Sequence, residues 1–479
     1  MTTISITDPI LLRIAALAAD RNVELYVVGG FVRDSIMGRP RTDIDITVVG
    51  DPLAFARDVA TLFHSSPIIY ERFRTAMVPI GEHHIEFVGT RMERYEEGSR
   101  NPIVQEGTLD DDLRRRDFTV NALAASLQSN NLGVVTDMFD GIADIKRSIL
   151  RTPLDPIVTM SDDPLRMMRA ARFASQLQFT IEPSVLTAIS SMAERISIIS
   201  QERITDEFLK ILASPIPSIG MKVLYETGLL AHVFPEVERL AGVDLVSVGA
   251  REYKHKDVFF HTLQVVDNVS VMSDDVWLRF ATLMHDIAKP RTKRFVEGTG
   301  WTFHGHEEIG ARWQEKIFRR LKLPLHHLDY VETLVRLHQR PMKLVDDGVT
   351  DSAIRRLAVQ AGDWLNDLFL LCKADVTTKN PRLAEKYVRN YDIVRQKVID
   401  VRERDQLRAF QSPIRGEEIM EITGLPPSRT IGYLKFMIEE AILEGHLHND
   451  RGEAKTYLLA NMTQWMDDAK EAHFGRRGS

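Results

Sequence analysis

The sequence predicts an α+β protein, with a small mixed β-sheet and flanking helices at the N-terminus and a long all-α body behind it. Short β-branched runs broken by turns, VELYVV before Gly-Gly, DIDITVV before Gly-Asp-Pro, and HHIEFVG, fall between residues 23 and 140, interleaved with helical stretches such as DPLAFARDVATLF. From Asp162 onward apolar residues recur at helical spacing almost to the end, as in DPLRMMRAARFASQL, VWLRFATLMHDIAK and GYLKFMIEEAILEG. At about 150 residues per domain, 479 residues allow about three domains, each able to bury a core. The Pro-rich RTPLDPIV, the weakly patterned AGVDLVSVGAREYKHKD and the stretch RAFQSPIRGEE place seams near 151–158, 241–257 and 408–418.

Composition excludes a disordered, collagenous or disulfide-stapled chain: 44% of residues are hydrophobic and the single cysteine, Cys372, has no partner in the chain. A reducing, cytoplasmic setting is expected. The N-terminus lacks a basic region followed by a long apolar one, and no stretch approaches the roughly 18 apolar residues that span a bilayer, so no membrane contact is expected. Net charge is -7, so any nucleic-acid partner must be held by a local concentration of Arg and Lys.

In RTDIDITVVG the strand period of two sends Asp43, Asp45 and Thr47 to one face and Ile44, Ile46 and Val48 to the other. Two converging carboxylates repel unless a cation neutralises them, and hard oxygen ligands of this kind suit Mg²⁺, which takes one or two carboxylates together with substrate phosphates and water. Glu86, opposite in face to Ile85 and Phe87 in HIEFVG, is a candidate third carboxylate. The pair alone is equally compatible with a solvated strand edge. Upstream, Gly29-Gly30-Phe31-Val32-Arg33-Asp34 follows a strand and opens a helix; glycines let the backbone approach a phosphate closely, and Arg33 adds a charged donor.

GGFVRD, RTDIDITV, RRRDFTVNALA (114–124) and DDPLRMMRAARFASQLQF (162–179), in that order and spacing, closely resemble the class II nucleotidyltransferases, which comprise bacterial CCA-adding tRNA nucleotidyltransferases and related poly(A) polymerases. The resemblance implies transfer of a nucleoside monophosphate from CTP and ATP to the 3′ end of tRNA, with Asp43 and Asp45 as the catalytic aspartates that hold Mg²⁺; Glu86 stays the third catalytic carboxylate suggested by strand alternation. It implies nucleotide contacts at Gly29, Gly30, Arg33, Arg116, Asp163, Arg166, Arg169 and Arg172, with Asn121 shaping the pocket. On a helix running from 162, Asp163 and Arg166 are i,i+3 neighbours. An Asp acceptor beside an Arg donor matches the exocyclic amino group and ring nitrogen of cytosine or adenine, and mismatches the carbonyl and N–H of uracil or guanine. One departure from the family pattern is Asp162, where the acid is usually Glu.

Downstream, His261, His285-Asp286, His306, His338 and Asp375 have the order of the HD superfamily of metal-dependent phosphohydrolases, and His304 is an alternative to His306. Imidazole and carboxylate ligands suit a divalent metal. The resemblances together imply a nucleotidyltransferase head at 1–150, a helical neck for base recognition and RNA binding at 151–245, an HD domain at 246–405 and a helical tail at 406–479. In the tail, Arg429 and Lys435 are open to phosphate contacts or to plain solvation. The leading expectation is CCA addition to tRNA with a possible HD hydrolase activity; the alternatives are a poly(A) polymerase, or an HD phosphohydrolase with an RNA-binding head. Oligomeric state is not legible.

Overall fold

The computed structural model describes residues 2–40, 44–71, 74–94, 103–242, 245–248, 251–254, 257–345, 349–404 and 412–471. Asp43 lies outside the described residues. The chain divides into two compact units, the first comprising 1–239 with 320–323 and the second 240–319 with 324–479.

The first unit opens with helix α1 (Pro9–Arg21), whose N-cap Asp8 accepts hydrogen bonds from the Ile10 and Leu11 amides. Seven strands follow, named here β1 (Glu24–Val28), β2 (Ile44–Val49), β3 (Ile68–Tyr70), β4 (Thr75–Ile80), β5 (His83–Gly89), β6 (Leu123–Ser126) and β7 (Val135–Asp137). They form one mixed sheet in the order β3-β4-β5-β2-β1-β6-β7, in which only the β2–β5 pair is parallel. A parallel neighbour needs a crossover, and helix α3 (Pro52–Leu62) begins the connection from β2, packing Phe55 on Phe87 of β5. Along β2 the residues Ile44, Ile46 and Val48 are buried while Asp45 is half-buried, as the period of two requires.

Between β1 and β2, helix α2 (Gly30–Ile36) starts immediately after Gly29, whose φ of 66° lies in the left-handed region. A Cβ there would also stand 2.8 Å from the Arg116 guanidinium end, which would have to shift, so the backbone conformation is what demands glycine. The unit continues through helices α4 (Leu109–Arg114), α5 (Pro156–Asp162), α6 (Leu165–Leu177) and α7 (Gln201–Leu212). Helix α6 buries Met167, Met168, Ala170, Ala171, Ala174 and Leu177, which leaves the Arg169 and Arg172 side of the helix for charge.

The second unit is helical among its described residues apart from two small hairpins. Its helices α8 (Val258–Met272), α9 (Val276–Met284), α10 (His306–Leu321), α11 (Leu328–Leu337), α12 (Leu365–Ala374) and α13 (Pro381–Arg404) enclose a core that includes Phe259, Phe280, Leu334 and Phe369. Three further helices at 416–423, 429–443 and 451–471 pack around their own cluster of Ile414, Ile419, Leu434, Ile438, Leu458 and Trp465. No helix among the described residues is long and apolar enough to cross a membrane.

Candidate active site and candidate metal centre

The parallel register pairs Asp45 of β2 directly with Glu86 of β5, so the two carboxylates stand side by side on one face of the sheet. Burial, followed by the Asp45 charge, raises the pKa of Glu86 above its ordinary value, with Arg91 opposing. Two hard oxygen donors in register, one of them destabilised as an anion, fit a divalent cation.

Asp45 also lines a cleft of about 510 Å³ together with Gly29, Gly30, Arg33, Arg116, Asn121, Asp163, Arg166, Arg169 and Arg172. Asp45 and all eight of the expected nucleotide contacts thus border one space. Chains of ion pairs organise its cationic wall. Arg33 donates bidentately to Asp34 at 2.9 Å and to Asn121 Oδ1 at 2.6 Å. Asn121 Nδ2 donates to Asp117 Oδ1 at 3.1 Å, and Arg169 Nε donates to Asp117 Oδ2 at 2.7 Å. Burial alone would raise the pKa of Asp117; the charge of Arg169 and the hydrogen bond from Asn121 outweigh it and lower it to about 2. Arg172 Nε donates to Glu207 at 2.7 Å, and Arg116 and Arg115 share the buried Asp112. The Phe173 ring lies 4.1 Å from the Arg172 guanidinium and 5.4 Å from those of Arg33 and Arg169, giving the cleft an aromatic floor between cations.

One expectation is corrected. Asp163 and Arg166 are not i,i+3 neighbours on one helix: α5 ends at Asp162, and Asp163 is extended, with φ -140° and ψ 101°. The cause is Pro164, which disfavours helical geometry at the residue before it. Asp163 instead accepts from the Leu165 amide at 3.1 Å, in the manner of an N-cap to α6, and pairs with Arg203 at 3.1 Å. Arg166 donates to the carbonyls of Thr159, at 3.0 Å, and of Arg115. The two side chains meet at the cleft, not through each other.

In the second unit, His261, His285, Asp286, His306, His338 and Asp375 come together. His261 Nε2 lies 3.0 Å from Asp375, His285 Nε2 3.2 Å from Asp286 Oδ2, His306 Nε2 3.2 Å from Asp286 Oδ1, and the His306 and His338 Nε2 atoms 3.3 Å apart. The Nδ1 atoms of His285, His306 and His338 face the carbonyls of Thr282, Phe303 and Val335 at 2.6–2.7 Å. Donation to those carbonyls puts the ring proton on Nδ1 and leaves each Nε2 lone pair pointing inward. Opposed lone pairs at 3.3 Å repel, and His285 Nε2 and Asp286 Oδ1 are buried with no hydrogen-bond partner. Such orphaned donors fit a cation among them. Burial, the largest cause, lowers the pKa of His338 to about 3, so its lone pair stays available. His304 is exposed and stands outside the cluster, which selects His306.

Sequence reasoning missed Asp117, Glu207 and Arg203, whose partners lie 52, 35 and 40 residues away. It also missed Lys289, which donates to Asp286 at 2.6 Å; the HDIAK run, placing Lys three residues after the Asp, was the available signal. Lys435 pairs with Glu439 at 3.8 Å, and Arg429 is exposed.

Residues 25–151 match the family model "Poly A polymerase head domain", 178–240 match "Probable RNA and SrmB- binding site of polymerase A", and 258–375 match "HD domain". The A-adding tRNA nucleotidyltransferase of Deinococcus radiodurans is 32% identical over 442 residues, covering 90% of this chain and 94% of its own length. The multifunctional CCA protein of Methylococcus capsulatus is 31% identical, covering 74% and 81%. The crystal structure of the Bacillus stearothermophilus CCA-adding enzyme with CTP shares the fold, with a TM-score of 0.67 at 22% identity over 96% of this chain and all of that one.

Proposed function

We propose that this chain, which belongs to the tRNA nucleotidyltransferase and poly(A) polymerase family and carries an HD domain, adds C, C and A to the 3′ end of tRNA from CTP and ATP, releasing pyrophosphate. The observation that carries the proposal is the single cleft where Asp45, the Gly29-Gly30 turn and the Asp163/Arg166 pair meet. Asp43, Asp45 and Glu86 would hold Mg²⁺. Held there, such a cation would supply activation of the attacking hydroxyl and charge stabilisation at the leaving phosphate oxygen. The chain's own residues do the rest. Gly29 and Gly30 admit the triphosphate close to the backbone, and Arg33, Arg116, Arg169 and Arg172 offset its charge. Asp163 accepts from the amino group of cytosine or adenine while Arg166 donates to the ring nitrogen; uracil and guanine leave these groups facing like partners. Phe173 offers a face beside them.

A second reading concerns the HD cluster, whose converging Nε2 atoms and orphaned Asp286 oxygen favour a bound divalent metal, held by His261, His285, Asp286, His306, His338 and Asp375, and a hydrolase activity on phosphoesters. The division into head, neck, HD domain and tail at 1–150, 151–245, 246–405 and 406–479, and a cytoplasmic setting, belong to the same reading.

The test offers CTP alone, ATP alone, and both to tRNA lacking its CCA end and to tRNA ending in CC. CCA addition predicts C incorporation on the first, A on the second, and three residues with both nucleotides. Extension of only the CC-ended tRNA with ATP would indicate A addition, and long A tracts with little C would indicate a poly(A) polymerase; either result overturns the proposal.

A further inference from the structure

Helix α7 packs behind the base-reading groups and carries charges complementary to them. Arg203 Nη2 donates to Asp163 Oδ2 at 3.1 Å while the Leu165 amide donates to Asp163 Oδ1 at 3.1 Å. One turn further along, Glu207 is almost fully buried, pairs with Arg172 at 2.7 Å and lies 3.9 Å from Arg169. One helix thus presents a cation to the acid that faces the base and an acid to the cations beside it. Arg203 borders the same cleft. Arg166 is held differently, by the two carbonyls of Thr159 and Arg115, so Arg203 is the partner that concerns Asp163 alone.

From this geometry we infer that Arg203 is a positioning residue that determines nucleotide selectivity: it holds the Asp163 carboxylate in the plane from which its remaining lone pairs meet the amino group of cytosine or adenine. A carboxylate held at one oxygen rotates about Cβ–Cγ and accepts from, or turns away from, many partners; held at both, it keeps one plane and opposes a carbonyl placed there. The pair is partly exposed, 49% for Arg203 and 27% for Asp163, so it contributes little to stability and its effect is on selection. The inference rests on the base-reading role proposed above for Asp163.

The experiment uses the full chain carrying Arg203→Ala, Arg203→Lys or Asp163→Ala, with single-nucleotide incorporation of CTP, ATP and UTP on trimmed tRNA and a thermal midpoint for each variant. Arg203→Ala is expected to lower the preference for CTP over UTP about 10-fold, to raise the KM for CTP more than it lowers kcat, and to keep the wild-type midpoint; Arg203→Lys restores most of the preference. If Arg203→Ala keeps the preference, or slows all nucleotides equally, while Asp163→Ala loses it, the inference is overturned and the role of Asp163 stands. If Asp163→Ala itself keeps the preference, the base-reading proposal fails first.

Discussion

Around the cleft of the first unit, charged groups are held by one another: Arg33 by Asp34 and Asn121, Arg169 by Asp117, Arg172 by Glu207, Asp163 by Arg203. In the HD cluster the reverse holds. Each histidine is anchored from behind, three by a backbone carbonyl and His261 by the Thr377 hydroxyl; Lys289 reaches Asp286 Oδ2 and Gln339 reaches His306 Nε2, while His285 Nε2 and Asp286 Oδ1 have no hydrogen-bond partner and the His306 and His338 Nε2 atoms oppose each other. The two arrangements suit different kinds of ligand. A cleft whose cations are already half-neutralised admits a ligand that brings its own charge and leaves again, as a nucleotide does. A pocket of converging lone pairs is preorganised for a resident cation.

That contrast can be broken in several ways. The greatest loss is expected at Glu86: Glu86→Ala should lower nucleotide addition about 100-fold or more if, as proposed, Glu86 and Asp45 hold one cation, because no other carboxylate takes its place in the register opposite Asp45. Near-normal turnover would remove Glu86 from the site. Next, His306→Ala should weaken divalent metal binding to the isolated chain about 10- to 100-fold by metal analysis after dialysis, whereas His304→Ala should bind as the wild type does. Equal metal content in both variants would contradict the cluster. Asp163→Ala should cut discrimination against UTP and GTP about 10-fold, measured as ratios of kcat/KM.

A smaller effect tests the wall of the cleft through pH. The folded pKa of Asp117, about 2, is depressed below the ordinary 3.8, so its stabilisation is present above about pH 4 and is lost as pH falls through 2. The shift corresponds to about 2 kcal/mol at neutral pH. Asp117→Asn should therefore be less stable than wild type at pH 6, with the gap in unfolding free energy narrowing toward pH 2. A gap independent of pH would mean that packing, not ionisation, sets the contribution of Asp117.

How far the sequence speaks differs between the two sites for physical reasons. The HD cluster is legible in its order of His and Asp, because ligand chemistry restricts the residue types; the choice of His306 over His304 needed the fold, since two residues apart on a turn point to different surroundings. The face of Glu86 follows from strand alternation, but its partnership with Asp45 depends on a parallel β2–β5 register that no local pattern specifies. The helical reading of 162–173 followed apolar periodicity past Pro164, whose restriction on Asp163 decided the geometry instead. Asp117, Glu207 and Arg203 were illegible because each acts on a group supplied by a distant segment.

Two centres are proposed for this chain, nucleotide transfer at the sheet carboxylates and hydrolysis at the HD cluster. The most direct test measures labelled CTP and ATP incorporation on trimmed tRNA by Asp45→Ala and His285→Ala side by side. On this two-centre proposal incorporation is lost in Asp45→Ala, with tRNA binding retained, and stays within about 2-fold of wild type in His285→Ala, as for two substitutions that act independently. Incorporation that survives Asp45→Ala, or that disappears with His285→Ala in a folded protein, would contradict it.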